Sequence, residues 1–409
     1  MDLNDTPQQV EFREKVRAWL EEHKPNAPVL EGPGALTEED EIVAARRKWQ
    51  RELAEGGLAG ATWPKELGGQ GLGPIESVII SQEIGRAGVP GILDVIGIGM
   101  LGPTIIAHGT DEQKQRYLGP MLHGDEVWCQ LFSEPAAGSD LAGIQSRAKQ
   151  GDDGQWTING QKVWTTNAQF SSYGLLLART DADVPKHKGL TMFIVPMDAE
   201  GVTIRGLRQI TGDAEFNEVF FDDVKVPDEN RVGAVGAGWG TALTTLMFER
   251  LTIGFGSEGM GYRHERFAER IAQDEVAAKD GEVRQRLGHI ATELLAVKFT
   301  GYRMLSALQQ GQIPGPEAGL SKITTVNAGI AGADLIADVV GPEILDEQGD
   351  SQFVYHTSFL PGLKSAGGTE EILRNTIGER VLGLPPEPRL YKGIPFSELR
   401  AKEKEQVAK

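Results

Sequence analysis

A single cysteine, Cys129, is all the thiol this chain carries. No intrachain disulfide can form, so packing alone must hold the fold, as suits a reducing compartment. Cys129 lies in the apolar run "VWCQLF", where a buried and inert thiol is expected. Histidine is also scarce: the seven present are scattered, with no His-x-x-x-His pair on a helix, and metal chemistry loses its usual foothold. There is no Gly-x-Ser-x-Gly elbow and no phosphate-binding P-loop. Positive charge runs short, with 41 Lys and Arg against 59 Asp and Glu and a net charge of −18. Nucleic acids and anionic membranes need a basic surface to displace counterions, so neither is an expected partner. Long hydrophobic runs are missing too. The most apolar stretch, "GILDVIGIGMLGPTIIA" (91–107), is broken by Asp94, Pro103 and several glycines, which argues against a membrane span. The opening residues "MDLNDTPQQV" are acidic and lack an apolar core, so no secretory leader and a cytoplasmic location are expected.

What is present indicates a multidomain globular protein. A length of 409 residues exceeds one ordinary core and predicts roughly two or three domains. Hydrophobic residues at 40% and charged residues at 24% are those of a globular protein. Residues 1–127 read as helices. Thr6-Pro7 is a cap followed by proline, with Phe12, Val16, Trp19 and Leu20 on one face. Thr37 is expected to cap a second helix that stops at Gly56-Gly57, and Thr110 with Gln113 forms a capping-box signature. Residues 128–236 change period. Short β-branched and apolar runs such as "YGLLLART" and "GLTMFIVPM" alternate with turn residues, and Asn159-Gly160 in "WTINGQKVW" predicts a hairpin turn. A small antiparallel, barrel-like domain is expected there. Residues 237–409 return to long helices able to pack as a four-helix bundle. The resulting class is α+β: a helical N-terminal domain, a central antiparallel β domain and a C-terminal bundle. The lack of strand–helix alternation excludes a doubly wound dinucleotide fold.

Four short stretches carry candidate chemistry. "GAVGAGWG" (233–240) departs from the dinucleotide glycine pattern and reads as a linker. "LFSEPAAGSDLAG" (131–143) offers Ser133, Ser139 and a turn of small residues whose N–H groups suit a flat polar edge or a phosphate, or simply an ordinary turn. "VWTTNA" (163–168) places an indole beside two hydroxyls, fit to cover an aromatic ligand or to pack in a strand core. In "SAGGTEEI", Gly367 and Gly368 allow close approach of the backbone, and Thr369 caps a helix whose free N–H groups suit a pyrophosphate. Glu370 and Glu371 there also simply complement the helix dipole.

Together "HGTDEQKQRYLGPMLHGDEVWCQLFSEP", "EPAAGSD", "NGQKVWTTNA" and "GGTEEILRNTIGERVLGLP" resemble the acyl-CoA dehydrogenase family, over nearly the whole chain. The resemblance implies FAD held between the domains and an acyl-CoA substrate beside the flavin. It implies that Gln130, Phe132 and Ser133 lie along the flavin edge, with Trp164 and Thr166 covering the ring. Ser139 faces the CoA thioester, and Thr369 and Glu371 touch the cofactor. The family removes the α-proton of the thioester and passes the β-hydrogen to flavin N5. Many members place the base before the Gly-Thr of the C-terminal loop, where this chain has Gly367. Another subset carries it on a helix in Glu-Arg-Leu. Here "LMFERLTIG" makes Glu249 the base, with Arg250 holding it in place, while Gly367 and Gly368 line the substrate and the Gly367 N–H serves the thioester oxygen. The surrounding apolar residues should raise the pKa of Glu249.

Two family elements are missing. The Arg-x-x-Phe-Gly arm that reaches a neighbour's FAD has no match around "RHERFAERIAQ", and the Gln-x-Phe-Gly-Gly segment is replaced by "DVVGPEIL". Arg263, Arg266, Arg270 and Arg374 are candidates to neutralise the pyrophosphate instead. The departures resemble heteromeric bacterial members acting on bulky steroid-type thioesters. The expected partners are an electron-transfer flavoprotein and further subunits, either a homo-oligomer (dimer or tetramer) or a hetero-oligomer with a paralogue. An oxidase or flavin monooxygenase on the same scaffold, or a non-catalytic partner subunit, remain the alternatives.

Overall fold

A computed structural model describes residues 5–30, 34–255, 264–310, 312, 315–345, 351–388 and 392–399. Five helices come first: α1 (Pro7–His23), α2 (Glu39–Glu55), α3 (Pro74–Ala87), α4 (Gly102–His108) and α5 (Asp111–Leu122). Capping boxes start α1 and α5, each with threonine and the glutamine three residues on exchanging bonds with the backbone. In α2 the expected cap at Thr37 gives way to Glu38, which makes no side-chain capping bond. The acidic first turn of Glu39, Asp40 and Glu41 complements the positive helix end instead.

Eight strands follow: β1 (Trp128–Leu131), β2 (Arg147–Gln150), β3 (Trp156–Thr166), β4 (Tyr173–Arg179), β5 (Leu190–Pro196), β6 (Val202–Gly206), β7 (Phe216–Val226) and β8 (Arg231–Val232). They form one sheet in the order β6-β7-β3-β2-β4-β5-β8, with β1 added against β4. The sheet is mostly antiparallel, but β1 and β2 both pair with β4 in parallel. Asn159-Gly160 is no hairpin. β3 runs straight through it, and a register shift against β7 lies between Ile158 and Gly160. A Cβ on Gly160 would sit 2.6 Å from the Ser146 Cα, so the glycine marks a bulge and a close backbone approach.

The C-terminal block holds α6 (Gly238–Phe255), α7 (His264–Ala272), α8 (Gly281–Gln309), α9 (Gly319–Val340), α10 (Ser351–Leu363) and α11 (Glu370–Arg380). Its own core joins Phe267, Ile271, Ile290, Leu335 and Ile336. The first block does not pack alone. One continuous core runs from Leu20, Trp49, Leu53 and Ile105 across Leu175, Leu177, Met192 and Ile194 of the sheet to Ala242 of α6. The opposite face carries Leu176, Ala178, Phe193, Val195 and Val219 in a second core. β4 and β5 are therefore covered on both sides, which is why they read as continuous apolar runs rather than alternating ones. Cys129 is buried in the second core, where burial pushes its thiol up to about 12 and leaves it unreactive at neutral pH.

One buried ion pair fastens the segment after β1 to β3. Lys162 Nζ donates to the Phe132 carbonyl at 2.9 Å and to Glu134 Oε1 at 2.8 Å, and Gln145 and Ser146 N–H groups complete the carboxylate. Burial lowers Lys162 to about 8. Burial also pushes Glu134 up, but the lysine charge and the three donors outweigh it and hold the carboxylate below its usual range. Removing the cation strands a buried carboxylate. Lys162→Met should destabilise the chain by about 3–5 kcal/mol in urea titration, and Lys162→Met with Glu134→Gln by clearly less.

Candidate active site

Three pieces of chain converge where α6 meets the sheet. Thr241, Ala242 and Thr245 bury the inner face of α6, and Thr245 bonds Thr104 of α4 at 3.0 Å. His108 reaches Thr244 at 2.8 Å. These contacts fix the rotation of α6 and turn Glu249 inward. Its Oε2 is shielded from solvent and has no hydrogen-bond partner among the described residues. Burial raises its pKa, opposed first by a hydrogen bond from Gln130 on β1 and then by the charge of Arg250. The hydrogen bond therefore comes from Gln130, while the exposed Arg250 acts on the carboxylate only through its charge. Gln130, read from the sequence as a flavin-edge residue, thus touches the candidate base.

The ends of β1 and β3 supply a flat polar surface. The Ser133 carbonyl accepts from the Val163 N–H at 2.9 Å, tying the two strands side by side. Phe132 is buried, and its carbonyl is spent on Lys162. The hydroxyls of half-buried Ser133 and Thr166 make no hydrogen bond within the described chain. Trp164 is 61% exposed and sits at φ +60°, within the register shift between Lys162 and Thr165. A left-handed tryptophan costs about 1–3 kcal/mol and persists only where its surroundings enforce it. Here Phe216 meets its ring edge-on at 5.9 Å, and Asn217 holds the Thr165 carbonyl at 3.1 Å. The strain turns a large indole outward, where packing alone would bury it. Thr165 Oγ1 and Asn217 Oδ1 are buried without hydrogen-bond partners among the described residues. An open aromatic face with unspent hydroxyls at its rim fits a planar ring with polar edges, as a flavin has.

The Gly-Gly loop closes the other side. Gly367 and Gly368 take φ values of +64° and +91°, which side chains resist, and Thr369 caps α11 through the Ile372 N–H. Lys322 of α9 staples this loop through the Lys364 and Gly368 carbonyls at 2.8 and 2.9 Å. Arg250, Lys322, Gly367 and Leu373 line one small cleft, so the loop and the Glu249 segment of α6 meet. Glu370 pairs with Arg374 at 2.6 Å, which engages an arginine read as free for a pyrophosphate. Glu371 and Ser139 are exposed, and Ser139 precedes Asp140, which bridges to Lys186. Arg266 is exposed on α7, while Arg263 lies outside the described residues.

All three blocks match family models: the acyl-CoA dehydrogenase N-terminal domain over residues 6–125, the middle domain over 129–224 and the C-terminal domain over 236–382. The chain belongs to the acyl-CoA dehydrogenase family. It is 39% identical over 382 residues to acyl-CoA dehydrogenase IpdE1 of Mycobacterium tuberculosis, covering 93% of this chain and 98% of that one. Among solved structures, the Tcur3481-Tcur3483 steroid ACAD superimposes with a TM-score of 0.79 at 28% identity, covering 95% of this chain and all of that chain. The ChsE4-ChsE5 complex of Mycobacterium tuberculosis follows with a TM-score of 0.77 at 28% identity and the same coverage. Family members are flavoprotein oxidoreductases of lipid metabolism, and the helical, β and helical order expected from the sequence is the family architecture.

Sequence reading missed Lys162, Lys322, Asn217 and the bond from Gln130. Only Lys162 left a signal, since it shares strand parity with the apolar Trp156 and Ile158 and so had to point into the core. The unpartnered Glu249 has a stability consequence. A folded-state pKa raised above the unfolded value gives stability that is full below the unfolded pKa and drains away as pH rises. Glu249→Gln removes that loss, so its thermal midpoint should exceed wild type, by a margin that widens as pH rises above the usual glutamate range. An equal or lower midpoint at pH 8 contradicts the buried-carboxylate assignment.

Proposed function

We propose that this chain is a FAD-dependent dehydrogenase of acyl-CoA thioesters in which Glu249 takes the α-proton, and that its substrates carry a bulky or branched, steroid-type acyl group. The observation that carries the reading is the buried Glu249 Oε2, poised without a partner on a helix that meets the Gly367 loop. A carboxylate stripped of solvent is a stronger base than one in water, and its raised pKa brings it toward the α-proton it must remove. Gln130 orients one oxygen and leaves the other open to the substrate. The Gly367 N–H makes no hydrogen bond within the described chain and is available to the thioester oxygen as negative charge develops there. FAD, when bound, supplies the acceptor for the β-hydrogen and its electron pair. Trp164, Thr166, Phe132 and Ser133 would hold its ring, and Thr369 and Glu371 would lie beside it at the start of α11. Because position 367 lacks a side chain, the loop leaves room that a glutamate would fill, which favours a wide acyl group. The naming of a similar solved structure as a steroid ACAD supports the same substrate class.

Electrons would pass on to an electron-transfer flavoprotein. Binding FAD to a chain at −18 needs cationic or N–H-rich surface, and Arg374 is already paired with Glu370. A further subunit would supply the rest, either a second copy or a paralogue.

Under nitrogen, Glu249→Gln should retain bound flavin and bleach with thioester on the order of 10²–10⁴-fold more slowly than wild type. The wild-type rate should climb with pH through an apparent pKa above that of an ordinary glutamate, and the variant should lose that limb. Wild-type bleaching by Glu249→Gln removes it as the base, and rapid reoxidation of the reduced protein by air favours the oxidase alternative. Gel filtration of the purified chain should show an oligomer, with FAD below one per chain when no partner is co-expressed. A monomer with one tightly held FAD overturns the assembly.

A further inference from the structure

The family model ends at residue 382, yet the chain continues, and residues 392–399 fold back onto the sheet domain. The contact is specific. Phe396 and Ser397 donate their N–H groups to the carbonyls of Val184 and Ala182 at 3.0 and 2.9 Å, and the Ser397 hydroxyl meets Asp183 at 3.0 Å. Phe396 and Leu399 are only 7% and 9% exposed, although the stretch is short. The Phe396 ring lies on the guanidinium of Arg179, with 3.6 Å from Cζ to the ring centroid.

Arg179 is where this docking reaches the site. Its three nitrogens donate to the carbonyls of Ile144 at 3.1 Å, Lys186 at 3.1 Å and Ala142 at 2.6 Å. Ala142 and Ile144 close the 133–146 segment that carries Ser133 and Ser139. Lys186 returns to the same segment through Asp140, at 2.6 and 2.7 Å to the two carboxylate oxygens. One guanidinium therefore ties together the segment bearing Ser139 and the loop between β4 and β5. Among the described residues it faces no carboxylate at bonding distance, and burial lowers its pKa to about 10. A buried cation satisfied only by carbonyls gains from an aromatic face that shuts out water. Phe396 provides that face.

We propose that the C-terminal segment 392–399 is a clamp that positions the Ser139 segment for the CoA thioester, with Phe396 and Arg179 as positioning residues. The clamp rests on the dehydrogenase reading for its kinetic consequence but not for its structural one. It holds the Asp140–Ile144 end of that segment, next to Ser139, and makes no contact with Glu249 or Trp164 among the described residues. Loosening it should therefore weaken substrate binding and spare the chemical step.

The test compares wild type, Phe396→Ala, Phe396→Trp and a chain lacking residues 392–409, all as flavin-loaded protein. Phe396→Ala and the shortened chain should raise KM for a CoA thioester roughly ten- to thirtyfold, with kcat within about twofold, and Phe396→Trp should restore KM. Amide hydrogen exchange across 139–146 should speed up in the first two and return to the wild-type rate in Phe396→Trp. Unchanged exchange in this segment overturns the clamp. So does a fall in kcat that tracks flavin loss, or a failure of tryptophan to rescue. If the wild type reduces with no thioester at all, the dehydrogenase reading falls, and the exchange measurement still decides the clamp.

Discussion

The central sheet has to hide both faces, and much of the molecule follows from that constraint. β4 and β5 are apolar along nearly their whole length and buried on both faces, so neither side can meet water. The N-terminal helices cover one face and share a single core with it. α6 joins that core through Ala242 and the threonine contacts to α4. Once α6 is seated there, Glu249 has only one environment available: the shielded junction beside Gln130 of β1. The candidate base is buried as a consequence of covering the sheet.

Ionisable groups are then managed in two contrasting ways. Lys162 and Glu134 satisfy each other and hold the segment after β1 in register with β3. Glu249 is left half satisfied, and Trp164 is held left-handed with its indole in solvent. Both of the latter oppose stability. Such conflicts between local preference and the fold gather where a protein must act on something outside itself.

Much was legible in the chain itself. The capping boxes at Thr6 and Thr110 and the change of period near residue 128 depend on neighbours within a few positions, and they appear where the sequence puts them. Asn159-Gly160 failed because a turn signal reports local backbone freedom, which a bulge next to Ser146 uses equally well. Thr37 failed because an acidic first turn can serve the helix dipole without a side-chain cap.

The sequence by itself determined the family, the order of its blocks and the residue types at the candidate site, because these are recorded in patterns along the chain. Tertiary structure alone decided which groups meet. It put Gln130 rather than Arg250 on Glu249, spent Arg374 on Glu370, and brought Lys322 to the glycine loop across 46 residues of chain. It also laid Phe396 over Arg179. Apart from Glu370–Arg374, which sit one turn apart on α11, those pairings depend on desolvation and on distances between segments remote in sequence, and neither quantity exists until the chain has packed.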